Sequence, residues 1–311
     1  MDDELNIFIK VWVSAIISVT YSYYLSSRIK AGVLRLLSIT PVCALFFLLP
    51  LFSSSKIFVS ITAFCLPGLA SLKLILFAFD QGPLFPLPTN LTRFICFTCL
   101  PIKLQKNPKS QNLFPKWVFG IKVAIYGVML KLYCNNHNLP RIMRLGLRPW
   151  HLYLELEIIL ALLKFLATIT LGCELEPIFN EPYLATSLQD FWGRRWNPMV
   201  SSILRSGIYA PLRRVCGRLM SSDRARLIGF LATFIVSGVF HELMHFYLTR
   251  ETPSWELTVF FTLNGVCTVV EMAVKRTKFG LRWQVRPVVS WLLTMGFLYL
   301  TTALLFFDPV V

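Results

Sequence analysis

An all-α, polytopic integral membrane protein with about eight transmembrane helices plus interfacial helices is the fold the sequence predicts, one span taking about 20 apolar residues. Two observations carry that expectation. The chain is 55% hydrophobic and 15% charged over 311 residues, with a mean hydropathy of +0.61, more apolar than soluble domains of this length. Its basic residues gather between apolar runs. The net charge of +15 therefore reads as orientation and attraction to anionic headgroups, not as affinity for nucleic acid.

The expected spans are Ile7–Leu25, Val33–Leu51, Ile57–Phe79, Trp117–Tyr133, Leu152–Leu171, Leu227–Leu248, Leu257–Val274 and Val288–Phe307. Lys122, Lys131, Glu155, Glu157 and Lys164 dilute the fourth and fifth. The start Met1-Asp2-Asp3-Glu4 is acidic and Lys10 interrupts the first run, so no cleavable signal peptide is expected. Arg28, Lys30 and Arg35 follow span one, Lys103, Lys106, Lys109 and Lys116 follow span three, and many more basics fill Arg194–Arg226. Lys275, Arg276, Lys278, Arg282 and Arg286 follow span seven. Alternation puts these loops on one face, the cytosolic one, and the acidic termini (Asp2, Asp3, Glu4, Asp308) in the lumen. A loop with Arg141, Arg144 and Arg148 is the exception. The eight cysteines lie mostly in apolar segments, and Cys96 with Cys99 form an isolated pair that reads as small buried hydrophobes rather than a zinc site.

The loop Asp80–Lys116 is rich in proline (Pro83, Pro86, Pro88, Pro101, Pro108, Pro115) and reads as mostly irregular. Gly172–Arg226 is different. Ser187 with Asp190 three residues on resembles a capping box opening a short helix with Phe191, Trp192 and Trp196. Pro198 then suits the first turn of a helix over Met199–Met220, where apolar residues interleave with Arg205, Arg213, Arg214 and Arg218. Such a mixture suits the membrane interface. The chain shows no internal repeats and reads as a single membrane-embedded domain, residues 1–311, with an interfacial motif segment over about 173–226.

Ionisable groups inside a span are costly and mark function. His241 and His245 share one helix face, with Ser237 one turn earlier and Gly238 inviting close approach. From Leu227, His241 is roughly 14 residues in, about 20 Å at 1.5 Å per residue, which is mid-bilayer. Three readings compete. A histidine bonded to a neighbouring helix supplies about 1 kcal/mol of association. His241-Glu242-Leu243-Met244-His245 also spells the H-E-x-x-H of zinc proteases, with Glu242 as base and Glu271 as a possible third ligand. The third reading is a catalytic histidine without metal, paired with the polar island Ser187–Pro198. Bland accounts exist there too: Asn197 before Pro198 is a good N-cap, the tryptophans suit an interface, and Arg194 and Arg195 suit orientation.

Phe191-Trp192-x-x-x-Trp196-Asn197 followed by Val236-Ser237-Gly238-Val239-Phe240-His241-Glu242 resembles the membrane-bound O-acyltransferases. Ser187–Pro198, Asn6-Ile7-Phe8-Ile9-Lys10-Val11-Trp12, Phe79-Asp80-Gln81-Gly82-Pro83-Leu84 and Asn90-Leu91-Thr92-Arg93-Phe94 are similar to the plant wax synthase branch. That branch acylates or acetylates long-chain alcohols, sterols or diacylglycerol. The resemblance implies catalytic roles for His241 and Asn197 and gives Glu242 and His245 no equally definite one. These two, with Trp192 and Trp196, are expected in substrate binding, as are Arg194 and Arg195, whose forks suit the CoA phosphates. It implies acyl-CoA as co-substrate, a lipid alcohol as acceptor, no cofactor or metal, and residence in the endoplasmic reticulum membrane. The intramembrane metalloprotease and a non-catalytic lipid carrier remain the other two classes.

Overall fold

The computed structural model describes residues 2–105, 116–135, 140–277 and 286–307. Lys106, Pro108, Lys109, Pro115, Lys278, Arg282 and Asp308, used above for loops and orientation, lie outside the described residues, as do the side chains of Lys116 and Arg141. Regular structure among the described residues is helical, apart from an isolated antiparallel bridge between Leu104 and Leu175. The longer elements are α1 (Asp2–Ser26), α2 (Val33–Leu48), α3 (Lys56–Ala78), α4 (Leu91–Cys99) and α5 (Lys116–Asn135). They continue as α6 (Arg141–Leu171), α7 (Pro198–Leu204, helical on to residue 216), α8 (Ser222–Thr249), α9 (Glu256–Val274) and α10 (Pro287–Phe306).

By length and composition, six helices among the described residues are fit to cross a membrane: α1, α2 with its 3-10 extension to Phe52, α3, α8, α9 and α10. The fourth and fifth expected spans form as helices α5 and α6 but are not in that set. Arg144 and Arg148 do not lie in a loop: α6 starts at Arg141 and runs 31 residues, through Pro149. The proline-rich loop also holds more order than its composition implied. Asn90 caps α4, its Oδ1 accepting from the Thr92 N–H at 2.8 Å. Cys99 ends that helix as a buried free thiol, and burial pushes its pKa up to about 12, which keeps it inert. Pro67, lacking an N–H for the ladder, sits in a π-helical stretch of α3 over Phe64–Ala70.

The chain divides into two compact, interleaved units, Met1–Lys103 with Met199–Val269, and Leu104–Pro198 with Val270–Val311. In lipid, helices gain nothing from hiding apolar surface from one another, so packing and polar clasps hold each unit. In the first unit the fully buried Lys73 of α3 donates to the carbonyls of Phe97, Thr98 and Leu100 at 2.7, 3.4 and 2.6 Å. Those are the C-terminal carbonyls α4 leaves without helical partners, and a cation suits that end of the dipole. Arg250, just past α8, clasps the carbonyls of Pro50, Leu51 and Ser53 at 3.1, 3.2 and 3.1 Å. Tyr247 donates to the Phe47 carbonyl at 2.7 Å and packs with Val59 and Ala63. The end of α8 beyond His241 is thereby fixed to α2 and α3. In the second unit Tyr299 of α10 donates to the Gly146 carbonyl of α6 at 2.7 Å. Trp291 and Ser290 donate to the carbonyls of Tyr183 and Thr186 at 2.7 and 2.6 Å, pinning the segment ahead of the polar island.

Candidate functional site

His241 lies in the first unit and Asn197 in the second. Each is set by neighbours within its own unit.

In the first unit, Gly238, His241, Glu242 and His245 recur at three- and four-residue intervals and so line one stripe of α8. Three positions of that stripe meet α9: Gly238, Glu242 and, through its ring, His241. A Cβ at Gly238 would lie 2.7 Å from the Thr258 Cα, so the close approach the glycine signals is to a backbone. Glu242 is 2% exposed, and its Oε1 accepts from the Thr258 N–H at 3.0 Å. Thr258 stands in the first turn of α9, where N–H groups lack helical acceptors and a carboxylate is favoured. Glu242 Oε2, Thr258 Oγ1 and both ring nitrogens of His245 are buried and find no hydrogen-bond partner among the described residues.

His241 Nδ1 is 2.7 Å from the Ser237 carbonyl. A carbonyl oxygen only accepts, so Nδ1 carries the proton and the neutral ring keeps its lone pair on Nε2. The ring lies on Phe261, centroids 4.3 Å apart, which fixes its plane. Ser237 was visible in the sequence as the residue one turn earlier. Phe261 and Thr258 were not, because nothing local to α8 points to a partner on the next helix.

In the second unit the capping expectation at Ser187 is met, its Oγ accepting from the Asp190 N–H at 3.0 Å. Asp190 does not return the favour. Its carboxylate takes Arg194 Nε at 2.9 Å and Arg195 Nε at 2.5 Å. Arg195 also donates to the carbonyls of Asn180 and Glu181 at 3.3 and 3.1 Å. The two arginines are thus not a bare phosphate fork. Arg195 is committed within the turn, whereas the Arg194 side chain remains 75% exposed.

Trp196 packs against Phe179 and stacks with Phe191, centroids 5.1 and 5.5 Å away, while Trp192 meets the edge of Phe191 at 4.9 Å. These tryptophans pack within the unit. Asn197 has φ +44°, in the left-handed region where asparagine is enriched. The usual N-cap residue has extended backbone, so this asparagine departs from the common backbone conformation of a cap. Around the turn lies a pocket of about 600 Å³ whose lining includes Asn180, Ser187, Asp190, Arg194, Arg195 and Lys275.

Among the described residues, no three His, Cys, Asp or Glu side chains gather to hold a metal ion. Glu271, the extra ligand that reading needs, belongs to the second unit and accepts from the Gln189 N–H at 3.2 Å and from Lys275.

The Membrane bound O-acyl transferase family matches residues 175–263, a stretch that includes both Asn197 and His241. Probable long-chain-alcohol O-fatty-acyltransferase 9 of Arabidopsis thaliana is 64% identical, covering 99% of this chain and 91% of its own length. Probable long-chain-alcohol O-fatty-acyltransferase 8 is 61% identical (100% and 91%), and probable long-chain-alcohol O-fatty-acyltransferase 1 is 48% identical (100% and 92%), both from the same plant.

Proposed function

The chain belongs to the membrane bound O-acyl transferase family, and we propose that it esterifies a long-chain alcohol with the acyl group of acyl-CoA. The observation that carries the mechanism is the 2.7 Å contact between His241 Nδ1 and the Ser237 carbonyl. It leaves Nε2 as the basic nitrogen in a neutral ring, the form a buried general base needs. Nε2 takes the hydroxyl proton as the alcohol oxygen bonds to the thioester carbonyl carbon. The tetrahedral intermediate then collapses, the C–S bond breaks, and the imidazolium returns the proton to the thiolate. Ester and free CoA leave with no net proton change.

No protein nucleophile, cofactor or metal is required by this scheme. Asn197 offers its amide to the thioester carbonyl or the pantetheine arm, where a donor favours the developing oxyanion. The exposed guanidinium of Arg194 and the ammonium of Lys275, both lining the 600 Å³ pocket, suit the anionic end of acyl-CoA. Trp192, Trp196, Glu242 and His245 complete the substrate-binding set. The relatives' names speak of long-chain alcohols, and their identity over almost the whole chain is what favours that acceptor. The basic loops favour a multi-pass protein with those loops cytosolic, and residence in the endoplasmic reticulum follows the family resemblance.

Expression in yeast lacking its own neutral-lipid acyltransferases tests the reading. Feeding fatty alcohol, sterol or diacylglycerol, followed by lipidomics, should give wax esters that vanish in His241→Ala. Steryl esters or acylated glycerides alone would move the acceptor. Proteolytic products with copurified zinc would replace the chemistry.

A further inference from the structure

Lys122 of α5 carries no part in the scheme above, yet it is 6% exposed and held by more groups than any packing role requires. Its Nζ lies 2.7 Å from Glu157 Oε1 on α6 and 2.8 Å from Glu181 Oε2. It also stands 5.8 and 5.4 Å from the ring centroids of Tyr153 and Tyr183. Burial, and then a hydrogen bond to Glu181, raises the Tyr183 phenol above its ordinary pKa. Glu181 itself has φ +44°, a conformation that side chains with a Cβ seldom take. A buried ion pair contributes little net stability, but losing one member leaves the other charge buried and unpaired. Two carboxylates on one ammonium make that dependence steeper.

We propose that Lys122 is a positioning residue for the segment carrying Arg195, Trp196 and Asn197, acting through Glu181. The Glu181 carboxylate is fixed by Lys122, while its carbonyl and that of Asn180 receive Arg195 at 3.1 and 3.3 Å. The Asn180 N–H answers by donating to the Arg195 carbonyl at 3.0 Å. The next residue, Trp196, rests on Phe179 at 5.1 Å, on the other flank of the same loop. Without Lys122, two carboxylates face one another in a dry site, and Glu181 relieves this by turning outward. That turn removes the carbonyls on which Arg195 rests. Asn180 and Arg195 also line the pocket assigned to the anionic end of acyl-CoA, so the donor side is where the loss is read. The inference rests on the acyltransferase reading, and its test separates the two.

The protein is purified in nanodiscs as wild type, Lys122→Met, Lys122→Arg, the single reversals Lys122→Glu and Glu181→Lys, and the charge exchange that combines those two. Ester formation from palmitoyl-CoA and hexadecanol by the wild type tests the acyltransferase reading alone. The positioning role is read first by binding of CoA itself, by calorimetry, which needs no turnover. Lys122→Met should weaken CoA binding and raise the palmitoyl-CoA KM by about tenfold or more, leaving the hexadecanol KM within about threefold. Lys122→Arg should return both to within about threefold, and the exchange should bind CoA better than either single reversal. Wild-type CoA binding and donor KM in Lys122→Met would overturn the proposal. Should Lys122→Met fail to accumulate, the exchange decides: restored protein with restored CoA binding supports positioning, and restored protein without it overturns positioning.

Discussion

Replacing Gly238 with alanine separates a role in helix packing from a role in catalysis, and the structure gives its size. The new Cβ would lie 2.7 Å from the Thr258 Cα and 3.3 Å from both its Cβ and its carbonyl oxygen. Carbon atoms rest at about 3.5–4.0 Å, so α8 and α9 must part by about 1 Å, since backbone cannot swing aside as a side-chain tip does. The Glu242–Thr258 hydrogen bond, now 3.0 Å, would then stretch past its useful range, and the ring of His241 would lose its seat on Phe261. Overpacking costs about 1–3 kcal/mol, and the gain of alanine over glycine inside a helix returns up to about 1 kcal/mol. Net destabilisation is therefore small, whereas a base displaced by about 1 Å loses about 10²-fold in rate. Gly127→Ala in α5 is the control, since a Cβ there meets nothing within 4 Å. The assay is ester formation in microsomes, normalised to protein level, beside thermal melting of the purified protein. Wild-type turnover by Gly238→Ala would refute the argument that the α8–α9 contact sets the base.

His241→Ala should insert normally and lose about 10²–10⁴-fold in turnover, as removal of a general base does, with His245→Ala milder; equal loss at both positions with zinc copurifying would sink the metal-free scheme. Asn197→Asp keeps the size and the left-handed backbone, so it should accumulate normally while ester output falls at least about tenfold, the polarising amide having become an anion. Unchanged output would reduce Asn197 to a backbone role. The sequon Asn90-Leu91-Thr92 should stay unglycosylated in a eukaryotic host, because the proposed orientation puts its loop in the cytosol and Asn90 already caps α4; a mobility shift lost in Asn90→Gln would reverse that orientation. That variant should also cost about 1 kcal/mol of stability through the lost cap.

The parts legible in the sequence are those whose cause is local. Apolar length marked the helices, the Ser187 spacing marked a cap, and the four-residue interval of His241 and His245 marked one face. Gly238 announced a close approach without naming the partner. What stayed hidden depends on residues far apart in the chain. Lys73 inside α3 has its three acceptors on Phe97, Thr98 and Leu100, which nothing local to α3 announces. Lys122 and Glu157 read in the sequence as diluting charges, and only the fold brings them together with Glu181. The left-handed backbone of Asn197 was masked by the following proline, because asparagine before proline is also the ordinary start of a helix. One missed signal was available. Asp190 and Arg194 are four residues apart, a spacing at which opposite charges meet on a helix.

That pair changes what the polar island is for. Read as a string, two arginines between two tryptophans are loose cations facing anions. In the structure Asp190 takes both, which offsets one of their two charges locally and closes the turn from Phe191 to Trp196. An anion entering the neighbouring pocket therefore meets one exposed guanidinium and Lys275, the latter shared with Glu271. Such a site binds a polyphosphate by modest, salt-sensitive attraction and leaves orientation to the fixed backbone around Asn180 and Arg195. Arg194 should then govern donor affinity and its salt dependence. Arg195, bonded to Asp190 and to two carbonyls, should govern the geometry in which Trp196 and Asn197 are presented. On the proposed reading the same dipeptide would divide into a binding residue and a positioning residue, a distinction residue type alone does not contain.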